Sequence, residues 1–107
     1  MHELTADALH QQHAYLEDGL AHAIRRAGKG HDAVLDRRLM GQARVLQAML
    51  GDRAAAQAVA DAAEAALRVM DAAEPEAPLC MLAIARDALA RVVRRRALGL
   101  PRTRRAA

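Results

Sequence analysis

The sequence predicts an all-α fold: four helices packed as an up-down-up-down bundle or as two stacked α-hairpins, assembled as a homodimer. Three observations predict it. Alanine, the strongest helix former, supplies 28 of the 107 residues. Apolar residues recur at three- and four-residue steps through four segments. Those segments are separated by Gly-Lys-Gly at 28–30, by Gly-Asp at 51–52 and by two prolines within Glu74–Pro78, all helix-stopping signals. The dimer is expected because the core is thin. Tyr15 is the single aromatic residue, alanine buries little area, and a small chain of this kind gains missing burial from a partner.

The first helix starts from Thr5, a good N-cap, with Glu3 and Asp7 near the positive end of its dipole. Leu9, His13, Leu16, Leu20, Ala23 and Ala27 then form a heptad-like seam widened by Ile24. Gly28 is placed to leave the helix in a left-handed conformation. Asp32 caps the second helix, whose apolar face runs Leu35, Leu39, Ala43, Leu46 and Leu50, with Val34 and Met49 beside it and Gln42 at its edge. Asp52 caps the third, over about Arg53–Ala73. Its inward face is Ala56, Val59, Ala63, Ala66, Leu67 and Met70, small enough to let another helix approach closely; Gln57, Asp61, Glu64, Arg68 and Asp71 lie opposite.

Pro78 suits the first turn of the fourth helix. That helix opens with Leu79–Ala85, apolar nearly all round and so expected to be covered on every side. It continues through Leu89, Val92 and Val93 to Leu98, where Gly99 offers a left-handed cap and Pro101 blocks continuation. The domain is thus expected over residues 1–98, with a flexible basic tail over 99–107.

Charge is unevenly divided. Residues 1–90 hold 9 basic and 13 acidic side chains, a net of −4, whereas residues 91–107 hold seven arginines and no acid, a net of +7. The basic arm comprises Arg91, Arg94, Arg95, Arg96, Arg102, Arg104 and Arg105. Cations at a helix C-terminus are also favoured by the macrodipole. Beyond that, the arm suits steering towards an acidic protein surface. The alternative is contact with nucleic-acid phosphates, with little sequence preference, because no aromatic platform for bases accompanies the arginines. Membrane-surface binding lacks Trp or Phe anchors.

Catalytic groups are scarce. The chain has no serine, and Cys80 lies in the apolar run, where a thiol is expected to be buried and inert. Gly28–Gly30 is too short for a phosphate loop. His2, His10, His13, His22 and His31 all fall in the first third. His10, His13 and Glu17 share one side of the first helix, a spacing that can present ligands to an ion. Asp7 and His10 make one acid-x-x-His pair, but a di-metal bundle needs a second, so neither metal nor cofactor is expected. His13 interrupts the apolar seam, and at a dimer interface it would make assembly pH-sensitive. Arg26 and His31 form an Arg-x4-His pair that resembles the short signature of HEPN-type helical ribonucleases. That resemblance covers six residues, and Ala27 stands where the family often carries a polar one.

The absence of Ser and Asn, with 15 arginines to one lysine, is the composition of a high-GC, bacterial-type gene. A lone cysteine and a polar Met1–Gln12 fit a reducing, cytoplasmic location. The expected function is non-enzymatic: a protein–protein interaction module such as a regulator that sequesters a partner, an adaptor or a secretion-type chaperone. Leu79, Met81, Leu82 and Ile84 are the expected contact residues.

Overall fold

The computed structural model describes residues 3–102. They form α1 (Ala6–Arg25), α2 (Ala33–Leu50), α3 (Arg53–Asp71) and α4 (Glu76–Leu98), with no strand among the described residues. The three assigned caps are in place. Thr5 Oγ1 accepts the Ala8 N–H at 3.1 Å, Asp32 Oδ1 accepts that of Leu35 at 3.0 Å, and Asp52 Oδ1 accepts those of Ala54 and Ala55 at 2.8 and 3.3 Å. Gly51 closes α2 at φ 74°, a left-handed conformation that costs glycine little. Gly99 behaves otherwise than expected. Its φ is −88°, and α4 ends in a tight turn in which the Gly99 and Leu100 N–H groups donate to the Arg96 and Ala97 carbonyls.

The α2 face is buried at every position read from the sequence: Leu35, Leu39, Ala43, Leu46 and Leu50. From α1 come Leu9, Leu16, Leu20 and Ala23. Across the centre α1 meets α3, while α2 and α4 each pack on both of them. Thus α3 is inside on more than one side: Ala55, Ala62, Ala65 and Val69 are buried along with Val59, Ala63, Ala66 and Met70. A single helical stripe does not describe it. At the α1–α2 crossing, a Cβ on Gly19 would stand 2.7 Å from Leu39 Cδ2, so the absence of a side chain sets how closely these helices approach.

Two backbone ties close the ends. The Gly28 and Gly30 N–H groups donate to the Val69 and Met70 carbonyls at 2.9 and 2.8 Å, satisfying carbonyls at the end of α3. At the opposite end, the Ala6 and Asp7 N–H groups donate to the Pro101 and Arg102 carbonyls at 2.7 and 3.2 Å. The start of the segment expected to be a flexible tail is therefore docked on α1. Residues 103–107, including Arg104 and Arg105, lie outside the described residues.

Candidate interaction groove

The inner stripe of α4 is Leu82, Leu89, Val93 and Ala97. On either side of that stripe lies a flank of different character.

Towards α1 the flank is polar. Arg86 Nε donates to Glu17 Oε2 at 2.9 Å, and its Nη2 lies at the same distance from that oxygen. Glu17 Oε1 is 3.7 Å from His13 Nε2, an ion-pair distance too long for a hydrogen bond, and His13 Nε2 has no hydrogen-bond partner. Half-burial holds the His13 pKa below its ordinary value; Glu17 opposes the shift, while the charges of His10, Arg86 and Arg94 reinforce it. The histidine that interrupts the α1 seam thus faces α4 of its own chain.

Towards α3 the flank is open and apolar. A groove of about 660 Å³ runs between the two helices, with Ala58 and Ala65 of α3 facing Met81, Ile84, Ala85 and Ala88 of α4. It exists because alanines stand where larger side chains would close the gap. Asp61, Glu64 and Arg68 line it too, with Arg68 donating to Glu64 at 2.7 Å. Met81 is 60% and Ile84 65% exposed, high for large apolar residues so close together.

The four expected contact residues divide accordingly. Met81 and Ile84 are on the outer surface, Leu79 is partly buried against the core, and Leu82, at 1% exposure, belongs to the core. The expectation of cover on every side of Leu79–Ala85 does not hold in one chain, because α1 and α3 cover only part of the circumference. Cys80, expected to be buried, is exposed for the same reason. Sequence reasoning missed Ala58, Ala65 and Ala88; their signal is small residues on two sequential helices around a pair of large apolar ones.

In the basic arm, Arg91 pairs with Asp87 on its own helix. Arg94, Arg95 and Arg96 are exposed and in no ion pair among the described residues, and Arg102 is exposed while its carbonyl serves α1. The Arg26–His31 pair does not converge. Arg26 Nε is 3.3 Å from Asp32 Oδ2, whereas His31 Nε2 is 3.8 Å from Asp36 Oδ2. The Leu35 N–H, aided by the Arg26 charge, holds the Asp32 carboxyl below its usual range, so these groups serve the start of α2. Among the described residues, no group of three or more His, Cys, Asp and Glu side chains is placed to hold a metal ion. Nor is any helix there long and apolar enough to cross a membrane.

Comparison with protein-family models, curated proteins and solved structures returns no match.

Proposed function

We propose that this chain is a non-catalytic, helical protein–protein interaction module and that the α3–α4 groove takes the apolar side of a partner helix. One observation carries this reading: Met81 and Ile84 are both exposed beside a groove whose lining includes Ala58, Ala65, Ala85 and Ala88. Removing a large aliphatic side chain from water gives about 1.5–3 kcal/mol, and small wall residues let a second helix come close. A sequestering regulator, an adaptor and a helix-binding chaperone would all use such a groove in the same way.

The test is an NMR titration of the 15N-labelled chain. The probe is a synthetic amphipathic helix with a leucine stripe flanked by lysines. Amide shifts centred on Ala58, Ala65, Met81, Ile84 and Ala88, lost in the Ile84→Asp chain, are expected. No shifts on a monomeric chain, or equal shifts with a proline-interrupted peptide of the same composition, would overturn the reading.

The exposed guanidiniums of Arg94, Arg95 and Arg96 favour a second reading, binding of nucleic acid through the basic arm. Its signature is a steep loss of affinity with salt, by counterion release, that disappears on charge reversal at those three positions.

A further inference from the structure

We infer that the groove's occupant is a second copy of this chain, with the two α4 helices antiparallel about a two-fold axis near Ile84. This rests on the groove reading above and names its partner.

The outer stripe of α4 supplies the contact. Met81, Ile84, Ala88, Arg91 and Arg95 follow one another at steps of 3, 4, 3 and 4, the spacing of a helix–helix seam, and every one is exposed or partly exposed. The stripe is apolar from Met81 to Ala88 and basic at Arg91 and Arg95, and the acids of this region lie before it, around the start of α4. Asp71, Glu74 and Glu76 gather where α4 begins; all are exposed, and none is in an ion pair among the described residues. Arg94, Arg95 and Arg96 stand where it finishes.

Such a stripe is complementary to itself in one direction only. Placed parallel, two copies would bring acid against acid and arginine against arginine. Placed antiparallel with the axis between Ile84 and Ala85, Ile84 packs beside the partner's Ile84, Met81 lies level with the partner's Ala88, and the arginines that finish each α4 come beside the acids at the start of the other. At about 1.5 Å of rise per residue, Arg95 falls about 16 Å and Glu76, the first residue of the partner's α4, about 13 Å from the axis, with Glu74 in the connection just before it. The alanine opposite Met81 leaves room for its side chain. Antiparallel packing also opposes the two macrodipoles, and the contact is isologous and closed, as a two-fold dimer requires.

Sedimentation equilibrium on the full chain at low salt should show a dimer. Ile84→Asp should yield a monomer with unchanged helical circular dichroism, which separates loss of contact from loss of fold. Arg95→Glu and Glu74→Arg should each loosen self-association several-fold, and an equimolar mixture of the two chains should recover the original affinity as a heterodimer. The Cys80→Ala, Ile84→Cys chain should cross-link to a covalent dimer under mild oxidation, because position 84 lies at the axis.

A chain that stays monomeric at its highest soluble concentration overturns the inference. So does a dimer that survives Ile84→Asp, a failed cross-link, or a charge-swapped mixture no tighter than its components. The peptide titration distinguishes the outcomes. Groove shifts on a monomeric chain leave the interaction reading standing without self-association, and their absence removes both.

Discussion

Along its α1 flank, α4 meets Glu17 and His13 through Arg86; along its α3 flank lies an open groove lined by alanines and by Asp61, Glu64 and Arg68. The first flank is closed by long side chains whose charged ends meet above the core and whose stems cover it. The second stops short, leaving Met81 and Ile84 in water. Both flanks belong to one helix and are separated only by the stripe of Leu82, Leu89 and Val93. Apolar content alone therefore does not tell a buried flank from a presented one. Here the small Ala58 and Ala65 of the facing helix leave the second flank open.

Truncating neighbours on the same turns of α4 should give the largest contrast. Leu82→Ala should cost about 2–5 kcal/mol, as for a filled core position, whereas Ile84→Ala should stay within about 0.5 kcal/mol in the monomer. Urea unfolding measures both, and equal costs would erase the distinction. A smaller effect is expected at the polar flank. Glu17→Ala leaves Arg86 unpaired, but both side chains are partly exposed, so the loss should be about 1 kcal/mol; a null result would reduce that flank to surface decoration.

Smaller still is the pH response. His13 is held neutral in the fold, with its pKa below the ordinary value of 6.5. Over the window just under that value, the unfolded chain binds more protons than the folded one. The stability from neutral His13 is therefore complete above the window and lost as pH falls through it. Thermal unfolding should fall less between about pH 7 and 5.5 in the His13→Gln chain than in the original. Identical slopes would exclude His13 as the source.

Much of this architecture was legible in the residues. Thr5, Asp32 and Asp52 marked three helix starts because a short oxygen-bearing side chain before an apolar-periodic run has few other uses. The α2 face was read completely because that helix shows a single stripe to its neighbours. On α3 the reading failed at Ala55, Ala62, Ala65 and Val69: alanine suits an inner or an outer surface equally, and only tertiary placement decides. On α4 it failed at Leu82 and Cys80, since seven consecutive apolar residues carry no periodicity to separate inside from outside. The groove was thus half legible, as two large apolar residues without their alanine walls. The role of Gly99–Arg102 left no local signal, because its hydrogen-bond partners are at the far end of the chain.

That distant tie bears on how the protein folds. The amide groups of Ala6 and Asp7 find their acceptors only after Pro101 and Arg102 have come back past the end of α4. The opening turn of α1 is therefore completed by nearly the last described residues to be made, a contact of almost maximal loop length. Local fraying at either end must break the same two bonds. Hydrogen exchange at Ala6 should consequently follow the opening of the α4 terminus, and the two extremities of the described chain should open as one cooperative unit.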